Sequence, residues 1–214
     1  MINGYSPGLL YGNNVFDVIS LIICYNYSQH IMNILSESDI LEPIRRNISI
    51  QTYGAKIEIN GVKIVDLRHF SGEDGVFEEL LRIDSEGVIE NFPGFKVAQI
   101  SRSQIVPGAI KAWHLHFKQD DLWFVPPEDH AMVGLWDLRS QSPTTDQKMR
   151  VTLGAGIARL VYIPRGVAHG IVNLSSKSSS IFYFVNQQFN AEEPDERRLP
   201  WDEVGANFWK PEIG

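Results

Sequence analysis

A chain of 214 residues is long enough for one large domain, or for a domain with an extension, around a substantial core. Its 43% apolar and 21% charged residues exclude a disordered polymer. A net charge of -7 excludes a general nucleic-acid or anionic-membrane surface, so a phosphate-bearing ligand needs a local cluster of Lys and Arg.

Residues 1–46 read as an N-terminal extension. Met1 to Asn14 are rich in Gly, Asn, Tyr and Pro. The run from Val15 to Tyr25 is the most hydrophobic, but it is too short, and too polar at Asp17 and Ser20, to span a bilayer. No basic residue precedes it, which makes it a poor secretion signal. It is expected to pack on the body or on a partner subunit. Residues 15–42 have room for one or two helices, with Ser36 or Ser38 as an N-cap near Asp39. The single cysteine, Cys24, excludes an internal disulfide and a cysteine metal cage, and fits a reducing cytoplasm.

From Asn47 the pattern becomes all-β. Asn47–Tyr53 alternates, and Lys56–Val65 alternates on both sides of Asn60-Gly61, which predicts a hairpin turn. Further strands are predicted at 76–83, 96–102, 110–117, 122–125, 131–138, 149–152, 158–163, 170–174 and 180–186. No amphipathic helix of about twelve residues interrupts them. Short strands at this spacing predict a sandwich or barrel over 47–190. The tail, 191–214, carries Trp201 and Trp209 and is expected to dock on that barrel.

Within this frame one stretch concentrates the chemistry. In Lys111-Ala112-Trp113-His114-Leu115-His116-Phe117, a period of two puts Lys111, Trp113, Leu115 and Phe117 on one strand face, with Ala112, His114 and His116 on the other. Asp120 and Asp121 follow, and Pro164-Arg165-Gly166-Val167-Ala168-His169-Gly170 supplies a third histidine. The default for adjacent acids is an exposed turn. A histidine in a Pro-Arg-Gly turn has a structural role available, and Pro164 and Gly166 read as turn formers. Trp113, Trp123 and Trp136 read as core or interface. His30, His69 and His130 have no partner pattern.

The His-x-His spacing, the following acid and the Pro-x-Gly-x-x-His segment resemble the two-part signature of the cupin superfamily of small jelly-roll barrels. That resemblance implies a cupin-type jelly roll with His114, His116, Asp120 or Asp121, and His169 converging in the barrel mouth. Such a set suits one divalent metal ion. A closer resemblance, over about residues 60–210, is to the dTDP-4-dehydrorhamnose 3,5-epimerase family. It rests on Asp74-Gly75-Val76-Phe77-Glu78-Glu79, on Gln99-Ile100-Ser101-Arg102-Ser103, and on Gly108 to His114. It continues in Asp137-Leu138-Arg139 with Ser142-Pro143-Thr144, and in Ile163 to Gly170. This branch looks metal-free. It implies proton abstraction beside the 4-keto group of a nucleotide-linked 6-deoxyhexose, with reprotonation from the other face. His114 matches the family base, and Asp202 or Glu203 falls where a carboxylate orients that base. Gln99, Lys111, His116, Glu79 and His169 match substrate-binding positions.

The chain departs from that family at four places. Lys111 stands for an arginine, Asp74 reverses the charge of another, Asp121 falls near a lysine, and Phe189 or Gln188 takes the place of the tyrosine acid. Three readings follow. The first is a cofactor-free nucleotide-sugar epimerase, a cytoplasmic homodimer serving deoxysugar and surface-polysaccharide synthesis. The second is a metal-dependent cupin isomerase or oxygenase. The third is a non-catalytic sugar-binding cupin.

Overall fold

The structure is a computed structural model that describes residues 34–51 and 57–212. The hydrophobic run at 15–25, Cys24 and His30 lie outside the described residues. The chain divides into two units, Met1–Gly54 and Ala55–Gly214. In the first, Glu37–Asp39 form a 3-10 turn and α1 spans Glu42–Arg45. Ser36 rather than Ser38 is the N-cap, and its N–H donates to Asp39 Oδ2 at 2.8 Å. The strand expected at 47–53 is not formed over 47–51.

The described residues of the second unit hold fourteen strands. These are β1 (Lys63–Asp66), β2 (His69–Gly72), β3 (Gly75–Glu78), β4 (Val88–Ile89), β5 (Phe92–Lys96), β6 (Gln99–Ile105) and β7 (Ile110–Leu115). They continue as β8 (Asp121–Phe124), β9 (His130–Asp137), β10 (Lys148–Gly154), β11 (Arg159–Ile163), β12 (Val167–Asn173), β13 (Ser179–Val185) and β14 (Arg197–Arg198). Two five-stranded antiparallel sheets, ordered β1-β11-β8-β13-β6 and β10-β9-β12-β7-β14, make the jelly roll. Hairpins β2–β3 and β4–β5 stand apart from both.

The sheets close on one another through Val161, Ile181 and Ile105 from the first and Val133, Leu135 and Ile171 from the second, all essentially buried. Strand β12 is buried at every position. Its inner face meets this core, and its outer face is covered by a second cluster that includes Trp113 and Trp209. The tail therefore docks through Trp209, which lies 4.7 Å from the Trp113 ring, while Trp201 is exposed. Gly134 makes the docking possible: a Cβ there would meet the Phe208 and Trp209 rings at 2.6 and 2.7 Å. A third cluster, in which β4 and β5 supply Ile89, Phe92 and Phe95, packs with Leu122, Phe124 and Phe184.

Asn60-Gly61 does turn, with Gly61 at φ 83, but among the described residues it joins no hairpin. β1 pairs with β11 instead, and the turn is captured by the loop after β9. Asn60 N–H donates to Thr144 Oγ1 at 2.9 Å, and Arg139 Nη2 donates to Asn60 O at 2.6 Å. Both side chains also bind Asp137, which is fully buried. Its carboxylate accepts from Arg139 Nε at 2.8 Å, Ser142 Oγ at 2.6 Å and Thr144 Oγ1 at 2.7 Å. Burial works to raise the Asp137 pKa, but these bonds, Arg139 foremost, hold it well below the usual carboxylate range. The Asp137-Leu138-Arg139 and Ser142-Pro143-Thr144 motif is thus a structural knot.

The strand carrying the histidines does not alternate as its period predicts. His114 pairs with His169 and Lys111 pairs with Ile171, so β7 runs three residues where β12 runs two. The extra residue is a β-bulge. It turns Ala112 to the outer cluster beside Trp113 and brings Lys111 to the same inner face as His114. Gly170 makes room for it, because a Cβ there would meet Ala112 Cα and Lys111 O at 2.9 Å.

Candidate active site

Between the two sheets lies a cavity of about 450 Å3. Strands β7 and β12 line one wall with Lys111, His114 and His169, and His116 follows at the end of β7. Strands β6, β8 and β13 line the facing wall with Gln99, Ser101, Asp121, Trp123 and Tyr183. The segment from Gln187 to Glu196 edges the cavity.

His114 is held by the tail. Arg198 pairs with His114 across the β14–β7 ladder, and Glu196, two residues earlier, shares that face. Glu196 Oε1 lies 3.0 Å from His114 Nδ1. Arg198 Nη1 lies 3.3 Å from the same nitrogen and donates to Glu196 Oε1 at 2.9 Å. A guanidinium only donates. The shorter contact and opposite charge put the Nδ1 proton toward Glu196 and leave Nε2 as the basic nitrogen. Burial, and then the neighbouring His169, lower the His114 pKa to about 4, with Glu196 partly opposing them. The imidazole is therefore neutral, the form a base requires.

This arrangement corrects the expected orienting acid. Asp202 and Glu203 stand exposed in the turn after β14, outside the cavity lining, where Glu203 N–H donates to Pro200 O at 3.2 Å. The carboxylate at His114 is Glu196. Alternation along β14 is its only sequence signal, and a two-residue strand carries too little pattern to find.

Asp120 and Asp121 separate in the same way. Asp120 points away from the histidines into a fork with Arg165, at 2.9 Å from Nε and 2.8 Å from Nη2, and also accepts the Arg165 N–H. Burial raises its pKa, but the Arg165 bonds bring it below the ordinary value. It therefore leaves the expected metal set. Asp121 faces inward: its Oδ2 accepts Trp123 Nε1–H at 2.9 Å and lies 3.6 Å from His169 Nε2. Its Oδ1 accepts the Gln119 amide at 2.7 Å.

His169 Nδ1 donates to Val167 O at 2.9 Å, which leaves Nε2 toward Asp121. His116 Nδ1 is buried without a hydrogen-bond partner, 3.8 Å from Asp195 Oδ2, and its Nε2 lies 3.4 Å from the Gln119 amide. His116, Asp121 and His169 each offer one ligand atom within 4.8 Å of the others, and all three are buried. Two imidazoles and a carboxylate fit a divalent ion, with the carbonyl of Val167 and the Asp195 carboxylate beside the outer ring nitrogens. His114 stands beside this set, parallel to His169 with centroids 6.0 Å apart, its Nδ1 already engaged.

Of the expected binding residues, Gln99, Lys111, His116 and His169 line the cavity. Gln99 Oε1 accepts the Phe189 N–H at 2.9 Å, and Lys111 Nζ donates to Ser103 Oγ at 2.6 Å. Glu79 does not join them. It is exposed and paired with Arg82 at 2.6 Å. Asp74 lies on a separate hollow with Phe70 and Phe77. Phe189 and Gln188 do reach the cavity edge. Tyr183, Asp195 and Glu196 are cavity residues that sequence reasoning missed.

Comparison with known proteins follows the same outline. The sequence model of dTDP-4-dehydrorhamnose 3,5-epimerase matches residues 56–212. The spore coat polysaccharide biosynthesis protein SpsL of Bacillus subtilis is 43% identical over 156 residues, covering 72% of this chain and 99% of its own. A probable low-salt glycan biosynthesis epimerase of Haloferax volcanii, Agl13, is 27% identical over 157 residues, covering 72% and 97%. Among solved structures, a dTDP sugar isomerase from Desulfovibrio desulfuricans superposes with a TM-score of 0.59 at 28% identity, covering 68% of this chain and 88% of that one. No helix among the described residues is long and apolar enough to cross a membrane.

Proposed function

The chain belongs to the dTDP-4-dehydrorhamnose 3,5-epimerase family, and from that premise we propose that it is a nucleotide-sugar epimerase acting on a dTDP-linked 4-keto-6-deoxyhexose. His114 removes the proton on the carbon beside the keto group. The proton moves to Nε2, and the electron pair passes into an enolate. Glu196 holds the ring in the required tautomer and faces the imidazolium that forms. Lys111 supplies positive charge from the same wall. Gln99, His116 and His169 bound the sugar. Base and cation come from the chain itself, so the reaction needs no cofactor. The observation that carries this reading is the contact of Glu196 with a half-buried, neutral His114 on the cavity wall.

We assign the protein to the cytoplasm, as a homodimer, in deoxysugar synthesis for surface polysaccharide such as the O-antigen of lipopolysaccharide. The names of the Bacillus and Haloferax relatives support the polysaccharide setting. The exposed Phe70, Val76 and Phe77 of the β2–β3 hairpin support a partner subunit. The test is incubation with a dTDP-4-keto-6-deoxyhexose in heavy water. Loss of the C3 or C5 proton signal by NMR, absent in His114→Ala, is the expected result. No exchange leaves a binding-only role.

The cluster of His116, Asp121 and His169 favours a second reading, a metal-dependent isomerase or oxygenase. These three residues would hold one divalent ion, which supplies Lewis-acid chemistry when bound. Metal analysis of protein prepared without a histidine tag, with Asp121→Asn as control, tests it. One equivalent of metal lost in the variant would support it.

A further inference from the structure

A base that lifts a proton from one face of a sugar ring inverts the centre only if another group returns a proton to the opposite face. His114, Lys111 and His116 belong to β7 or follow directly from it, and so approach from one wall. On the facing wall the titratable cavity residues are Asp121 and Tyr183. Asp121 accepts a hydrogen bond on each oxygen, from Gln119 and from Trp123, so both of its oxygens are already engaged. Tyr183 remains.

Its surroundings give the phenol a direction. Lys111 Nζ donates to Ser103 Oγ at 2.6 Å. An ammonium has only donors, so the serine accepts from it, and the single Ser103 hydroxyl proton is free to turn elsewhere. Ser103 also lies beside Tyr183 and acts on its phenol in the sense of a donor, lowering its pKa against the effect of burial. With Ser103 donating to the tyrosine oxygen, the phenolic proton is left for whatever occupies the cavity. Trp123 packs edge-on against the Tyr183 ring at 5.3 Å and fixes its plane. Burial pushes the Tyr183 pKa up, so the group is protonated at neutral pH.

We propose that Tyr183 is the catalytic acid of the epimerase, and that Lys111 and Ser103 are positioning residues that relay a proton to it. In the second half of the reaction the Tyr183 O–H bond breaks and a C–H bond forms, using the enolate electron pair. The phenolate takes the Ser103 proton, and Ser103 takes one from the Lys111 ammonium. One proton has left the substrate to His114 and one has come from Lys111. Solvent resets both. The proposal rests on the epimerase reading.

The test follows both events at one carbon, in heavy water, with a dTDP-4-keto-6-deoxyhexose as probe. Loss of the proton signal reports abstraction, and signals of the new epimer report delivery. Tyr183→Phe keeps the ring against Trp123. It is expected to retain His114-dependent exchange within about threefold while inversion falls about 100-fold or more. Ser103→Ala should lower inversion selectively by a smaller factor, and it decides the question if Tyr183→Phe does not fold. Inversion by Tyr183→Phe within about threefold of wild type, or by Ser103→Ala at the wild-type rate, overturns the proposal and leaves the epimerase reading standing. Wild-type exchange without inversion overturns it as well. Absence of exchange in the wild type overturns both.

Discussion

Replacing Glu196 with glutamine asks what the tail contributes to the base. The amide keeps an oxygen that accepts the His114 Nδ1–H, so shape and tautomer survive while the charge is lost. That charge matters when His114 holds the substrate proton. Two unit charges about 4 Å apart interact by about 4 kcal/mol at an effective dielectric of about 20. The Glu196 side chain is 40% exposed and shares its charge with Arg198, which reduces this to about 1.4–2 kcal/mol. The expected fall in kcat/KM is therefore about 10- to 30-fold. Epimerisation and heavy-water exchange should fall by the same factor, since both pass through the abstraction step. A change of less than about twofold, or a larger loss in Asp202→Asn or Glu203→Gln, would refute the assignment of Glu196.

Three further outcomes test the frame around the site. Asp137 has its pKa lowered by folding, so its stabilisation is complete above the unfolded value of about 4 and fades as pH falls toward the lower folded value. Asp137→Asn should therefore lower Tm at pH 7 and flatten the loss of Tm below about pH 5. A slope unchanged from wild type would contradict that assignment. Gly170→Ala would overpack the bulge at Ala112 and Lys111, costing about 2 kcal/mol and about 4–8 °C in Tm. KM should rise with it, because Lys111 is displaced from the cavity. Asp195 accepts the N–H groups of Phe117, Lys118 and Gln119 at 3.3, 2.8 and 2.9 Å. Asp195→Ala leaves all three unpaired, and calorimetry should record a loss of about 1–3 kcal/mol.

Period-two alternation located the central strands because both sheets bury one face against a common core. It failed at β2, β4, β5 and β14, which are two to five residues long and carry too little pattern to read. His114, His169 and Gly166 were legible because local motifs fix them. Gly166 sits at φ 82 against Arg139, where a Cβ would meet Cγ at 2.5 Å. Lys111 was assigned to the wrong strand face because a one-residue bulge leaves no trace in hydrophobic period. Only the later strand, through Gly170, tells the chain where to bulge. Asp120 and Asp121 could not be sorted from spacing, since neighbours on an extended chain face opposite ways and the choice depends on Arg165. Glu196 and Tyr183 reach the cavity through strand pairing set at long range, so their neighbours in sequence say nothing of His114.

The two-residue strand β14 has a consequence for the order in which the molecule becomes competent. Strands β1 to β13 contain every strand pairing of both sheets except that of β7 with β14, which carries Arg198 and directly follows Glu196. A chain cut after residue 190 retains the residues of both cavity walls, with His114 lacking its carboxylate and the Trp113 ring uncovered. The base is thus completed by a segment that follows the thirteen strands, held in place by Trp209 seating beside Gly134. A protease acting in the exposed stretch from Asn190 to Glu193 would sever the barrel from the segment that carries Glu196 and Trp209.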